Sequence, residues 1–283
     1  SSRSIPYYLF IVYMAKKLNK KVMFYANGVG PVSREINKRM IKRVGNMVDL
    51  ITVRDEKSRN ELENLGIDQP PIIVTADPAF VLKPIDDALG LKILEREQLT
   101  FDHDRPRIGV SVRPWNLSES RETIAKACDY MVQKYQADIL FIPMQFPNDY
   151  SESQEIVNIM EEEAKIIEKP MTPGELLWLF DRMDIVFGMR LHALIFSAMM
   201  GVPLVGVVYD PKVRHFLERV KQPSAGEPHE LDLSTLCRLL DDTLANKTER
   251  KMELMGMKDE LTALALKNAE LAIKLLEGED EIS

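Results

Sequence analysis

Residues 185–213 read IVFGMRLHALIFSAMMGVPLVGVVYDPKV, and this stretch decides the fold. Two short runs of mainly β-branched and aromatic residues, Ile185–Phe187 and Leu204–Val208, are typical of buried strands. The segment between them, Arg190–Met200, has the length and the apolar character of a buried helix. Because a strand, a helix and a second strand in this order form a crossover between parallel strands, the stretch predicts an α/β protein with a parallel sheet.

The same alternation of apolar runs and helical stretches extends outward along the chain. Six further runs are predicted to be strands: Lys21–Ala26, Leu50–Val53, Ile72–Thr75, Arg107–Arg113, Ile139–Pro143 and Lys165–Glu168. The pattern weakens between residues 83 and 106 and becomes continuously helical after Leu231. We therefore predict two doubly wound, Rossmann-like domains at residues 1–82 and 107–250, joined by a linker at 83–106. A helix within residues 251–283, with leucines at helical spacing, is expected to pack back on the first domain.

Composition places the chain among soluble globular proteins. Its 283 residues correspond to about two average domains, and 45% of them are hydrophobic. The 37 Lys and Arg residues against 44 Asp and Glu residues give a net charge of −7, which argues against nucleic-acid binding because that needs clustered cations. The two cysteines, Cys128 and Cys237, lack metal-ligand spacing, so we predict free thiols, no metal site and a cytoplasmic location. The uncharged run Ala193–Tyr209 is broken by glycine and proline and predicts no membrane span.

Polar side chains collect where the predicted strands end, which is where parallel sheets bind ligands. Four strand ends carry a cation: Arg54, Arg113, Arg190 and Lys212. In an acidic protein, so many cations at strand ends predict an anion-binding cleft between the two domains. The alternative is that each cation pairs with a nearby carboxylate such as Asp55 or Asp210, and the sequence leaves this open.

The sharpest local signal is the run Gly188-Met189-Arg190-Leu191-His192. A glycine between a strand and a helix exposes backbone N–H groups at the positive end of the helix dipole, which favours an anion. Arg190 can clamp a phosphate or a carboxylate with two hydrogen bonds, and His192 can exchange a proton near neutral pH. The alternative for His192 is the commoner one, a structural histidine beside an apolar helix.

Glycines also open a turn after the first predicted strand, at Asn27–Pro31. Gly28 and Gly30 permit a tight turn and close approach of a ligand, but the third glycine of a dinucleotide fingerprint is missing. The sequence also lacks the nucleophile elbow, the phosphate loop and the His-Glu-x-x-His motif, which removes the usual support for hydrolase and P-loop functions.

Seven segments of the chain form a recognisable set. They are YANGVGP at 25–31, TVRDEKS at 52–58, TADPAF at 75–80, GVSVRPW at 109–115, FIPMQ at 141–145, GMRLHALIF at 188–196 and GVPLVGVVYDPKV at 201–213. Each segment is weak evidence by itself, but together they span most of residues 21–220. As a set they resemble the polysaccharide pyruvyltransferase family, most closely its bacterial cell-wall members.

The resemblance implies two domains in a glycosyltransferase-B-like arrangement that transfer enolpyruvate from phosphoenolpyruvate to a sugar and close it as a 4,6-ketal. The implied acceptor is an N-acetylmannosamine unit on a lipid-linked cell-wall precursor, with peripheral contact at the inner face of the membrane. Phosphoenolpyruvate is the donor substrate, and no cofactor or metal is expected. Family members begin with a glycine-containing strand and a Gly-Gly-Gly loop that do not occur here, so the first domain is expected to be incomplete at its N-terminus.

The resemblance and the strand-end residues indicate one site, because phosphoenolpyruvate carries a phosphate and a carboxylate. We expect catalytic roles for three residues: His192 exchanges a proton, Lys212 holds the departing phosphate and Arg190 holds the donor. The expected substrate-binding residues are Arg54, Arg113, Gly28, Gly30, Gln145, Gly188, Tyr209 and Asp210.

Two other functions stay open. A nucleotide-sugar glycosyltransferase or a sugar epimerase of the same architecture would use the same cations for a diphosphate. A catalytically silent sugar-binding protein would need no proton exchange and would tolerate loss of His192. Thermal stabilisation by phosphoenolpyruvate indicates the pyruvyl transferase, whereas stabilisation by a nucleotide sugar indicates the glycosyltransferase or epimerase.

Overall fold

The computed structural model describes residues 4–102, 104–115 and 118–278. The chain forms two compact units: one contains the residues up to Val81 together with those from Asp259 onward, and the other contains Leu82–Lys258. Each unit has one sheet, and every strand pair in both sheets is parallel. The predicted α/β fold class with parallel sheets is therefore confirmed.

The first unit contains a three-stranded sheet in the order β1-β2-β3. Its elements are α1 (Ser4–Lys17), β1 (Met23–Asn27), α2 (Glu35–Gly45), β2 (Leu50–Val53), α3 (Glu56–Asn64), β3 (Ile72–Val74) and a 3₁₀ turn (Pro78–Val81). The central strand β2 is buried along its whole length, and Ile51 and Val53 pack with Leu62 and Ile67 in the core. The β-branched run that predicted β2 is thus the centre of this unit.

The second unit contains a five-stranded sheet in the order β6-β5-β4-β7-β8. Its strands are β4 (Arg107–Ser111), β5 (Asp138–Phe141), β6 (Lys165–Ile166), β7 (Ile185–Gly188) and β8 (Leu204–Gly206). Its helices are α4 (Asp87–Arg96), α5 (Ser118–Tyr135), α6 (Asn148–Val157), α7 (Pro173–Phe180), α8 (Leu191–Met199), α9 (Pro211–Arg219) and α10 (Leu233–Ala245), with a 3₁₀ turn at Pro228–Glu230. The last helix, α11 (Lys247–Glu277), begins in this unit and ends in the first. None of the helices in the described ranges has the length and hydropathy needed to cross a membrane.

Local sequence explains where α7 begins. The Thr172 hydroxyl accepts a hydrogen bond from the backbone N–H of Glu175, the Glu175 carboxylate accepts one from the N–H of Thr172, and Pro173 occupies the first turn. This reciprocal capping satisfies N–H groups that have no partner inside the helix. These contacts fix the first residue of α7.

The prediction of a linker at residues 83–106 is corrected by the structure. The segment contains α4 and belongs to the second unit. Asp87 accepts a hydrogen bond from the Trp178 indole at 2.8 Å, and this bond is the main reason that the pKa of Asp87 is lowered. Gly90 lies against the same ring, where a Cβ atom would come within 1.9 Å. Two apolar side chains of α4, Leu89 and Leu91, are exposed, and this mixed pattern concealed the helix in the sequence.

The C-terminal part of α11 packs within the first unit. Asn268 is fully buried; its Oδ1 atom accepts a hydrogen bond from the Thr75 hydroxyl at 2.9 Å, and its Nδ2 atom donates to the Ala76 carbonyl at 3.1 Å. Leu261 and Leu271 of the same helix are also buried. The helix therefore holds the loop that follows β3.

Candidate active site

The loops after β4, β7 and β8 begin side by side, because Ser111, Gly188 and Gly206 are register partners across these strands. A Cβ atom at Gly188 would lie only 3.0 Å from the Ser111 carbonyl oxygen, so a side chain there would crowd the neighbouring strand. Parallel strands place all their carboxyl ends at one edge of the sheet. That edge of the second unit carries most of the predicted site residues: Arg113, Gln145, Gly188, Arg190, His192, Tyr209, Asp210 and Lys212.

Arg113 and Lys212 meet at one aromatic ring. The guanidinium carbon of Arg113 lies 4.3 Å from the centroid of the Tyr209 ring, and the Lys212 Nζ atom lies 5.6 Å from the same centroid. The Trp115 ring contacts Tyr209 edge-on at 5.7 Å and lies 5.6 Å from the Arg113 guanidinium. Aromatic faces attract cations, so Tyr209 collects two positive charges at the edge of the sheet. We call these four residues the Tyr209 cluster.

Arg113 has a buried N–H group that none of the described residues satisfies. Its Nε atom is buried, and among the described residues no acceptor reaches it and no carboxylate pairs with the guanidinium. A buried N–H without an acceptor costs about 1–3 kcal/mol. The arrangement therefore favours an acceptor supplied by a ligand, and the positive charge favours an anion.

The Lys212 ammonium group makes weaker contacts with the protein than the Asp210 carboxylate does. The Nζ atom lies 3.9 Å from the nearer carboxylate oxygen of Asp210, the limit for an ion pair. Asp210 itself caps α9, since its side chain accepts a hydrogen bond from the Lys212 backbone N–H at 3.0 Å. The ion pair between Lys212 and Asp210 is therefore long and weak, and the shorter contact of Asp210 is the hydrogen bond that caps α9.

Arg190 is bound to a carboxylate that the sequence analysis did not single out. Its Nε atom donates to Asp149 Oδ2 at 2.8 Å, and its Nη2 atom donates to Asp149 Oδ1 and, at 3.1 Å, to Gln145 Oε1. For Arg190, pairing with a carboxylate is therefore the observed state. The sequence carries no signal for this pairing, because it depends on the strand order of the folded sheet, in which β5 and β7 both flank β4.

His192 is the second residue of α8, and its side chain is exposed. Its ring centroid lies 6.3 Å from that of Phe196, one turn further along the helix. His192 therefore does not lie in the core, and its role as a structural or a proton-exchanging residue stays a prediction. An exposed imidazole at a helix N-terminus can reach a ligand that binds at this edge.

The predicted residues of the first unit form a group of their own. Arg54 pairs with Asp77 at 2.9 Å rather than standing free, and both side chains are largely buried. Gly28 lies against the Arg54 guanidinium, where a Cβ atom would come within 2.3 Å of Nη2, whereas a Cβ atom on Gly30 would meet nothing within 4 Å. Asp55, the carboxylate suggested by the sequence, caps α3 through the Ser58 N–H. Gly28 thus packs directly against the Arg54 guanidinium.

Two other kinds of site receive no support from the described residues. Burial is the main cause that raises the pKa of Cys128 and of Cys237, so neither thiol is an activated nucleophile. Within the described ranges, no three His, Cys, Asp or Glu side chains gather as a metal site would require.

Comparison with known families decides which enzymes the chain is related to. The family model described as polysaccharide pyruvyl transferase matches residues 1–211. The chain belongs to the polysaccharide pyruvyl transferase family. The predicted family and the predicted enzyme type, a pyruvyl transferase, are therefore confirmed. The match includes Arg113, Arg190 and His192 and ends one residue before Lys212. None of the curated proteins compared with the chain matches it.

Solved structures resemble the whole chain in fold. A provisionally assigned UDP-N-acetylglucosamine 2-epimerase of Listeria monocytogenes has a TM-score of 0.70 at 17% identity, covering 96% of this chain and 72% of its own. The S. aureus protein MnaA, solved with UDP, has a TM-score of 0.68 at 14% identity, with 94% and 72% covered. Anabaena HepE in complex with UDP has a TM-score of 0.65 at 10% identity, with 98% and 77% covered. At these identities the likeness concerns the fold, and it agrees with the predicted Rossmann-like, two-domain class.

Proposed function

We propose that this pyruvyl transferase uses phosphoenolpyruvate as its donor and forms a 4,6-ketal on a sugar. The proposed acceptor is an N-acetylmannosamine unit of a lipid-linked cell-wall precursor. The proposed location is the cytoplasm, with peripheral contact at the inner face of the membrane, because a lipid-linked acceptor is presented there.

The Tyr209 cluster is the observation that carries the donor assignment. Phosphoenolpyruvate has a phosphate and a carboxylate, and each is an acceptor for charge-assisted hydrogen bonds. Arg113 offers a guanidinium without a protein acceptor among the described residues, and Lys212 adds a second charge over the same ring.

In the proposed reaction, the methylene carbon of the donor gains a proton and two sugar hydroxyls form bonds to the central carbon. The bond between that carbon and the phosphate oxygen breaks, and inorganic phosphate leaves. The two hydroxyls lose two protons: one balances the proton gained by the methylene carbon, and the other leaves with phosphate or solvent. No oxidant or reductant is needed. His192 exchanges a proton in this scheme, and Lys212 holds the departing phosphate.

The donor assignment is tested by thermal stabilisation of the full chain with phosphoenolpyruvate. We expect the ligand to raise the Tm of the natural protein and to lose this effect in Arg113→Ala. The matched control is Arg182→Ala, which removes another ring-stacked arginine of the same unit; Arg182 lies 3.4 Å from the Trp178 ring, before β7 begins. Equal stabilisation of Arg113→Ala and the natural protein would contradict the assignment.

A nucleotide sugar is the second candidate donor, because solved structures of similar fold contain UDP. A diphosphate is also an anion that the Tyr209 cluster could hold. The same experiment therefore includes UDP-N-acetylglucosamine as a second ligand. Stabilisation by the nucleotide sugar, without any by phosphoenolpyruvate, would replace the proposed function with this one.

A further inference from the structure

Asp149 is a completely buried carboxylate at the start of α6, and the proposed reaction gives it no role. Its Oδ2 atom accepts hydrogen bonds from the backbone N–H groups of Met144 and Gln145, at 3.2 and 2.9 Å. The same oxygen accepts from Arg190 Nε, and its Oδ1 atom accepts from Arg190 Nη2. Asp149 is thus fixed by the backbone after β5 and grips one edge of a guanidinium after β7.

The hydrogen bonds to Asp149 leave the Nη1 atom of Arg190 available. Nε and Nη2 are used by Asp149 and Gln145, whereas Nη1 donates to no acceptor within the part of the chain that the structure describes. The Arg190 side chain as a whole is 18% exposed, so it is not sealed inside the protein. Because the guanidinium is planar, holding one edge fixes the direction of the remaining N–H groups.

We propose that Asp149 is a positioning residue that fixes the guanidinium of Arg190 so that Nη1 donates to the anionic group of the substrate. The inference rests on the proposed function for the identity of that anion, which would be phosphoenolpyruvate. Misplacing a group that orients the reacting substrate by about 1 Å can lower the reaction rate ~100-fold. Asp149 therefore contributes to donor binding without touching the donor.

Positioning and simple electrostatics predict opposite changes in anion affinity for the variant Asp149→Asn. In Asp149→Asn the side chain keeps its shape, but the negative charge next to Arg190 is removed. A purely electrostatic effect would make the site more positive and would strengthen anion binding. Positioning predicts weaker binding, because an amide N–H faces the guanidinium N–H groups and the planar grip is lost.

The chain offers a matched control on the same helix. Glu152 is also buried, and it accepts hydrogen bonds from Arg121 Nε and Nη2, both at 2.8 Å. Glu152→Gln therefore breaks a second two-bond ion pair of α6. Arg121 lies on α5 and not at a strand end, so this pair has no predicted contact with a ligand.

The experiment measures ligand affinity by calorimetry, with the full chain and well below the Tm of each variant. Phosphoenolpyruvate, UDP-N-acetylglucosamine and inorganic phosphate are each tested against the natural protein, Asp149→Asn, Asp149→Glu and Glu152→Gln. We expect both ion-pair losses to lower Tm. Only Asp149→Asn should weaken binding of the anion, by about 10-fold to 100-fold in affinity, which is the value of one charge-assisted hydrogen bond. Asp149→Glu keeps the charge and should fall between, and it carries the test should Asp149→Asn not fold.

The outcomes separate this inference from the proposed function. Unchanged or tighter anion binding in Asp149→Asn overturns positioning, even when the natural protein binds phosphoenolpyruvate. Binding of UDP-N-acetylglucosamine alone, weakened in Asp149→Asn but not in Glu152→Gln, supports positioning while contradicting the proposed donor. Absence of binding for all three anions overturns both, since Arg190 would then have no anionic ligand to hold.

Discussion

Arginines that follow neighbouring strands in this protein have different surroundings, and the difference lies in their partners. Arg190 is neutralised by the buried Asp149, whereas Arg113 lies on the Tyr209 ring without a carboxylate among the described residues. When an arginine is paired inside the protein, the carboxylate offsets its charge, and its remaining N–H groups contribute mainly oriented hydrogen bonds. An unpaired arginine offers a ligand both its charge and its hydrogen bonds. We therefore assign the main attraction for the donor to Arg113.

Lys212→Ala is expected to lower both the affinity for the donor and the turnover. Loss of one charge-assisted contact corresponds to about 1.5–3 kcal/mol. Steady-state kinetics with phosphoenolpyruvate measure both quantities. The matched control is Arg214→Ala on the same helix, where an exposed arginine pairs with Glu227 at 3.2 Å. Equal effects in both variants would show that only the net charge of α9 matters.

His192→Gln is expected to lose about 100-fold in turnover while still binding phosphoenolpyruvate, because general acid–base help is worth about 10²–10⁴-fold. The glutamine keeps hydrogen-bonding capacity but cannot exchange the proton. His229→Gln, which changes an exposed histidine next to Glu227 and Glu230, is the control. Near-normal turnover in His192→Gln would leave a hydrogen-bonding role only.

The site could be predicted from the sequence in part. Arg113, Arg190 and His192 were found because each follows a strand, and strand ends are read from apolar runs. Asp149 was not singled out, because its partner lies 41 residues away and the pairing depends on strand order. Strand order is a property of the folded sheet, so an unordered set of strands cannot say which loops meet.

At the scale of helices and strands, the structure differs from the sequence prediction mainly where a helix is short and mixed. Strand β2 was predicted at its observed bounds because a leucine and three β-branched residues follow one another without interruption, and all four are buried. Helix α4 was missed because what holds it is distant in sequence: the Trp178 ring against Gly90 and the Trp178 indole on Asp87. Such tertiary contacts decide short helices more than propensity does.

Helix α11 is expected to stabilise the first unit through Asn268. In Asn268→Ala, the buried Thr75 hydroxyl and the Ala76 carbonyl each lose a hydrogen bond to α11, a loss of about 1–3 kcal/mol in the free energy of unfolding. Urea denaturation measures this loss. Glu270→Ala, an exposed substitution in the same helix, should change little. A small effect for Asn268→Ala would mean that apolar contacts alone dock the helix.

A pH dependence is expected from Asp184, which joins α11 to the start of β4. Burial raises the pKa of Asp184, but hydrogen bonds from Lys247 and the Arg107 backbone outweigh it, so the pKa is lowered overall. The ionised form is thus favoured in the folded state. Its contribution is present above the unfolded value of about 3.9 and is lost as pH falls through the lower folded value.

Asp184→Asn should accordingly destabilise the protein most near pH 7. The difference in unfolding free energy from the natural protein should shrink as the pH falls below about 4. Denaturant melts over this pH range measure the difference. Asp181→Asn, three residues earlier and paired with Arg182 at 3.5 Å, is the control. A difference that does not vary with pH would remove the assigned role of the charge.

For the whole molecule, a net charge of −7 coexists with a sheet edge that carries several cations. The overall charge disfavours nucleic acid, while the local cluster favours a small anion. Membership of the polysaccharide pyruvyl transferase family gives the reaction type, and the Tyr209 cluster supports the donor. We therefore propose phosphoenolpyruvate as the source of the transferred group.

The most direct test is acceptor-dependent release of inorganic phosphate from phosphoenolpyruvate by the full chain. The acceptor should be a lipid-linked saccharide with an N-acetylmannosamine unit whose 4- and 6-hydroxyls are free. We predict that phosphate appears only when donor, acceptor and protein are all present, in amounts equal to the ketal found on the acceptor by mass spectrometry. Absence of phosphate release, together with epimerisation of UDP-N-acetylglucosamine by the same preparation, would contradict the account.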